Sequence, residues 1–160
     1  MQTSEQILHF EHKTVTAQPV LQFTTRATLP QLGQYALTVF ERLQAEAARL
    51  GLTESGPIQW IYTGADGKPE TEFRLDIALP VVNFNGQTSD EFTLAELPAF
   101  DCVTTEYVGG WDGIPAVYDA LMAHVQASGL TVTDVCREVY PTPHETNPTQ
   151  HVTEIQVGVL

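Results

Sequence analysis

TVTDVCREVY, residues 131–140, is the stretch on which the fold turns, because successive side chains of a strand point to opposite faces. Cys136, Glu138 and Tyr140 then share one face, and Val135, Arg137 and Val139 take the other. A glutamate between a thiol and an aromatic ring is either an exposed strand carboxylate or a carboxylate held in a cleft.

Downstream, the Pro-rich loop PTPHETNPTQH (141–151) leads to a last strand at 152–159. Upstream, Val117, Tyr118, Leu121, Met122 and Val125 form the apolar face of a helix with Pro115 in its first turn and Gly129 past its end. Strands at 92–97 and 100–108 precede it, joined to it by Gly109, Gly110, Trp111, Asp112 and Gly113. The first half has the same order. Strands at 6–12 and 19–27 come before a helix that begins at Leu32 and carries Ala36, Val39, Phe40, Leu43, Ala47 and Leu50, with Gly51 as its cap. Strands at 56–63 and 70–81 follow, separated by the turn GADGKP, and NFNGQTSD (83–90) reads as a linker.

The two halves superimpose by subtraction. Gly129, Leu130 and Thr131 minus 78 fall on Gly51, Leu52 and Thr53, and the same shift puts Tyr118 on Phe40, Leu121 on Leu43, Tyr140 on Tyr62 and Glu138 on Trp60. Past the loop the offset is 82, so that Thr153, Glu154 and Ile155 fall on Thr71, Glu72 and Phe73. The chain therefore reads as a single α+β domain over 1–160, made of duplicated β-α-β-β units at about 6–82 and 91–160. Two long helices lie on antiparallel strands about a pseudo-twofold axis. A central groove between the units would be lined by Ile58, Trp60 and Tyr62 from one strand and Cys136, Glu138 and Tyr140 from its equivalent. Aromatic rings around one carboxylate suit flat, apolar, often cationic molecules.

The 160 residues suffice for a sizeable core, and a 42% apolar composition argues against disorder. No apolar run reaches membrane-spanning length, and MQTSEQILHFEHK lacks the pattern of a signal peptide, so the expected location is the cytoplasm with no membrane partner. Cys102 and Cys136 read as buried thiols. The formal charge is −13 and uneven: up to Arg74, six Lys and Arg stand against eight acids; from Leu75 on, Arg137 alone stands against twelve. Such a field repels nucleic-acid phosphates and gathers cations.

GPIQWIY with KPETEFRLDIALPV, LPAF with GGWDGIPAVYDALMAHV, and CREVY with NP and VTEIQVGV together resemble the GyrI-like small-molecule-binding domain, also the effector-binding domain of bacterial multidrug-responsive transcription regulators. The likeness spans roughly 20–159 and implies the SOUL/GyrI-like fold with a groove for varied aromatic or cationic compounds. It places Glu138 where drug-sensing relatives carry a groove glutamate, and Trp60 and Tyr62 on the aromatic wall. Those regulators carry a DNA-binding module ahead of this domain. Only about eighteen residues precede the first repeat here, so direct DNA binding is not expected.

A stand-alone form implies sequestration or sensing of hydrophobic or cationic compounds, as a monomer or weak dimer. Two other activities occur among similar proteins. One is a hydrolase opening cyclopropane-bearing DNA-alkylating compounds, for which Glu138 with Tyr140 or Tyr62 would move the proton. The other is a gyrase inhibitory protein, with gyrase or a regulator as protein partner. Trp111 is placed either at the groove lip or as a packing plug, and Glu106 reads as solvated. SOUL domains bind haem, but His9, His12, His124, His144 and His151 show no ligand spacing, so no metal or other cofactor is expected. No phosphate loop or serine elbow is present.

Overall fold

The computed structural model describes residues 7–143 and 145–160, with residues 36 and 37 described by backbone alone. The alternation seen in the sequence becomes antiparallel pairing throughout. In chain order the strands and helices are β1 (Glu11–Val15), β2 (Gln18–Ala27), α1 (Ala36–Arg49), β3 (Thr53–Glu54), β4 (Ile58–Thr63), β5 (Phe73–Val82), β6 (Thr93–Leu97), β7 (Phe100–Val108), α2 (Ile114–Ala127), β8 (Val132–Tyr140) and β9 (Val152–Val159). Among the described residues short 3-10 segments lie at Leu29–Tyr35, Trp111–Gly113 and Pro148–Gln150. One sheet holds the strands in the order β1-β7-β9-β8-β4-β5-β2-β6, with β3 on β5.

That order is the duplication made visible. β7-β9-β8 repeats β2-β5-β4 across the β4–β8 pairing, and the α+β architecture is that of duplicated β-α-β-β units about a pseudo-twofold axis. The offset between units is 82 at β2 and β7 but 78 at the helices. The first 3-10 segment has seven residues and the second three, which accounts for the four. Both helices end alike: Gly51 and Gly129 have φ of 75° and 73°, and the amides of Leu52 and Leu130 reach back to Ala47 O and Val125 O.

The leading strands depart from the sequence expectation. β1 pairs with β7 of the second unit, and β6, which precedes β7, pairs with β2 of the first. β1 also starts later than the expected 6–12, of which residue 6 lies outside the described residues. Its ladder opens at Glu11 because Leu8 and Phe10 pack on the second helix, where the Phe10 ring stacks on His124 at 4.5 Å. The strand expected over 70–81 starts at Phe73. The turn before it runs on, with Asp66 accepting from Lys68 N and Thr71 Oγ1 at 3.0 and 2.9 Å. The helix expected from Leu32 is regular only from Ala36, since Pro30 and Gly33 suit a tighter turn.

Each helix covers one end of the same sheet face. α1 presses Val39, Phe40, Leu43 and Ala47 onto β5, β2 and β4, and α2 presses Val117, Leu121 and Val125 onto β7 and β9. Leu43 and Leu121, symmetry equivalents, are both fully buried, each stabilising by roughly 2 kcal/mol. The two central strands, β4 and β8, lie between the helices.

The opposite face carries no helix among the described residues yet is largely buried. The connections β1–β2 and β6–β7 are two residues each, too short to join distant sheet edges, so the sheet curls until its ends meet. Pro98 and Phe100 at one such connection cover Arg137, which is 2% exposed. Its Nη2 donates to Pro98 O at 3.3 Å and its guanidinium lies 4.1 Å over the Phe100 ring. Among the described residues no helix is long and apolar enough to cross a membrane.

Candidate functional site

The site begins with a register. β4 and β8 pair as Ile58 with Tyr140, Trp60 with Glu138, and Tyr62 with Cys136. Trp60 and Glu138 are also the repeat equivalents, so the pseudo-twofold axis passes through this pair. A position and its own copy face each other, one a tryptophan and the other a carboxylate.

Glu138 is 6% exposed and Trp60 7%. Three hydroxyls converge on the carboxylate. Tyr62 Oη donates to Oε1 at 3.0 Å, Tyr140 donates to the same oxygen, and Tyr118, reaching down from α2, donates to Oε2 at 2.7 Å. Burial is the largest influence and pushes the Glu138 carboxyl above its ordinary value, while the three hydroxyl donors oppose it. The three phenols are held well above their ordinary values, by burial first and the Glu138 charge second. Among the described residues no Lys, Arg or His forms an ion pair with Glu138. A carboxylate that accepts from three neutral donors has hydrogen bonds but no counter-charge.

Beside this carboxylate opens a cleft of about 390 Å³. Phe40, Ile58 and Trp60 form one wall; Trp111, Tyr140 and the loop residues Pro143, Glu145, Pro148 and His151 form the other. Tyr140 is the hinge between cleft and carboxylate: its ring lines the cleft and its hydroxyl is on Glu138. Around that ring stand Trp60 at 6.3 Å edge-on, Trp111 at 6.3 Å and His151 at 6.0 Å. Trp111 is 51% exposed, a lip rather than a plug. GGWDG holds it there: a Cβ on Gly113 would collide with the Tyr107 hydroxyl, which tucks beneath the turn and donates to Gly110 O at 3.0 Å.

Of the residues expected along the groove, Ile58, Trp60, Trp111 and Tyr140 line the cleft. Tyr62 and Glu138 lie beneath it, and Cys136 does not reach it. The register explains the division. The cleft opens at the Ile58–Tyr140 end, while the Tyr62–Cys136 end is closed by α2, against whose cluster Cys136 packs. The thiols of Cys136 and Cys102 are raised to about 12 and about 11, each by burial first, which leaves neither as a thiolate nucleophile. Cys102 is fully buried and Cys136 half-buried, less than expected. Glu106 is exposed.

Two features of the site are not among the residues expected from the sequence. Tyr118 belongs by periodicity to the apolar face of its helix, although the offset that puts it on Phe40 also places it over the central strands. The wall formed by 141–151 has its signal in the four residues by which that loop exceeds its counterpart. Among the described residues no three His, Cys, Asp or Glu side chains gather as a metal site. His12 sits on Asp101 at 2.9 Å and His124 on Phe10, while His144 lies outside the described residues.

The family model of the GyrI-like small molecule binding domain matches residues 9–160. No curated protein matches the chain. The EcmrR C-terminal domain is similar at TM-score 0.77 and 21% identity, over 97% of this chain and 99% of that one. SAV2435, solved bound to tetraphenylphosphonium, is similar at TM-score 0.63 and 15% identity, over 95% and 94%. A hydrolase encoded by lin2189 of Listeria innocua is similar at TM-score 0.68 and 12% identity, over 94% and 91%. In the EcmrR–DNA complex the match spans 57% of the EcmrR chain.

Proposed function

The chain belongs to the GyrI-like family of small-molecule-binding domains, and from that premise we propose that it binds hydrophobic, flat aromatic cations in the cleft beside Glu138. The observation that carries this reading is the buried carboxylate without a counter-charge, set under the rings of Trp60 and Tyr140. A cation stacked on those rings gains from their π faces and supplies the charge the tyrosine hydroxyls cannot. The tetraphenylphosphonium bound by SAV2435 is a lipophilic aromatic cation, which supports the same ligand class for this fold. Ile58 and Trp111 complete the walls, and binding serves sequestration or sensing.

The test is titration calorimetry with tetraphenylphosphonium and a neutral aromatic of similar size, on the wild type and Glu138→Gln. The wild type is expected to bind the cation at micromolar scale, and the variant to lose roughly tenfold for the cation and little for the neutral compound. Equal losses for both would remove the charge role.

A second reading is favoured by one feature, the direct contact of Tyr140 Oη with Glu138. A carboxyl with a raised pKa beside a phenol that lines the cleft is a proton-transfer pair. It would suit water addition to an electrophilic cyclopropane, in which water bonds one ring carbon and the electron pair of the broken C–C bond passes to a conjugated carbonyl and is protonated there. Mass analysis after incubation with such a compound decides it: catalytic water adducts support hydrolysis, and unchanged compound removes it.

A further inference from the structure

The cleft is not symmetric, although the fold is. Its far wall is formed by residues of the stretch 141–151, which by the repeat offsets corresponds to the shorter stretch 63–69 in the first unit. Pro143, Glu145, Thr146, Pro148 and His151 line the cleft, whereas no residue of 63–69 does. The four added residues therefore built a wall that the pseudo-twofold axis does not duplicate.

This wall is held in place. Asn147 Oδ1 accepts from Thr149 N at 3.0 Å, Thr142 Oγ1 accepts from Val152 N at 3.1 Å, and Gly109 N donates to His151 O at 2.8 Å. Two polar side chains of this wall are incompletely partnered. His151 Nδ1 is buried and has no hydrogen-bond partner among the described residues. Glu145 accepts one bond, from Asn147 N to Oε1 at 3.0 Å, and its Oε2 has none among the described residues. Beneath the cleft the Glu138 carboxylate already accepts from three hydroxyls. The loop wall thus holds acceptors without partners, while the carboxylate beneath the cleft is already supplied with donors.

We propose that the 141–151 wall makes the cleft selective among aromatic cations, favouring those that carry N–H donors, such as protonated aromatic amines and amidines, over quaternary cations of the same shape. The inference rests on the reading of the cleft as a cation site. Stacking on Trp60, Tyr140 and Trp111 and attraction to Glu138 are common to both cation types. Of the two cation types only one with an N–H group can hydrogen-bond to Glu145 Oε2 and, where the imidazole carries its proton on Nε2, to His151 Nδ1, and an unmade bond leaves an acceptor without a partner.

The experiment compares three tricyclic probes by calorimetry at a pH where acridine is neutral: 9-aminoacridinium, which bears N–H donors; 10-methylacridinium, which has the charge alone; and acridine. The expected order is 9-aminoacridinium tightest, roughly tenfold ahead of 10-methylacridinium, as one charge-assisted hydrogen bond would give, with acridine weakest. The wild-type ratio of the two cations needs no variant. In His151→Phe, which keeps the ring contacts with Trp111 and Tyr140, and in Glu145→Gln, that ratio is expected to fall, and in the double variant to approach one. Equal affinity of the wild type for both cations overturns the proposal while leaving the cation site standing, as does a double variant that retains the wild-type ratio. Acridine binding as tightly as either cation overturns both.

Discussion

β4 and β8 are one strand written twice, and they differ most where they meet. On the helix-covered face the copies carry Trp60 and Glu138; on the curled-in face, Gln59 and Arg137. In both cases the first unit is neutral and the second charged, and every one of these side chains is buried. The two charges are treated differently. Glu138 receives three hydroxyl donors, whereas Arg137 has one backbone acceptor and a ring, with Nε and Nη1 unpaired among the described residues. Burial pulls the Arg137 guanidinium below its ordinary value as it pushes Glu138 above its own. The comparison separates a charge provided with partners from a charge merely enclosed.

The largest expected effect breaks the first unit's contribution. Trp60→Ala removes a ring that packs both the α1 cluster and Tyr140, and is expected to cost about 3 kcal/mol, measured as the shift of the urea midpoint. A loss below about 1 kcal/mol would make Trp60 a cleft ornament and not part of the core.

Next is the second unit's carboxyl. Its folded value lies above its ordinary 4.5, so its contribution to stability is full below that pH and is lost as pH rises through the folded value. Thermal unfolding from pH 4.5 upward should show the wild type losing stability relative to Glu138→Gln. Over the same window, tetraphenylphosphonium binding should tighten as the carboxyl ionises. A wild-type and variant difference that is flat with pH would show that Glu138 titrates as it does in the unfolded chain. Tyr118→Phe, by removing one donor, should move the onset of binding to higher pH.

Where the units agree, they should respond alike. Gly51→Ala and Gly129→Ala, both at positive φ with open space around them, are each expected to cost about 1 kcal/mol. A difference of more than about 1 kcal/mol between them would mean that the helices contribute unequally. The smallest effect belongs to Arg137→Gln, which restores the first unit's residue. Because a buried charge without an anion is costly, the variant should be within about 1 kcal/mol of wild type or more stable. A large loss would show that the Phe100 ring and Pro98 carbonyl suffice to hold it.

Much of the contrast between the two units is legible in the amino-acid sequence. The period-two alternation of 71–79, the helix caps at Gly51 and Gly129 and the offset of 78 shared by the helices and central strands specify the α+β duplication and place Trp60 opposite Glu138. Those are local signals and survive without knowledge of neighbours. The exchange of β1 and β6 is not legible, because which edge a short strand joins is decided by a partner about ninety residues away. The depth of the site is hidden for a related reason. Alternation assigns Cys136, Glu138 and Tyr140 to one face, but which of them a helix covers depends on where Tyr118 lands.

The exchanged leading strands bear on how such a chain could have arisen. A half-length unit folded by itself would have its β2 edge open where β6 now lies, and its own leading strand would have no partner in its own sheet. Two copies of that unit could complete each other by trading these strands, as domain-swapped dimers do. Gene fusion of such a dimer would keep the trade and free each copy to diverge, and the tryptophan and glutamate that meet on the axis are the kind of difference that a strictly symmetric homodimer cannot encode.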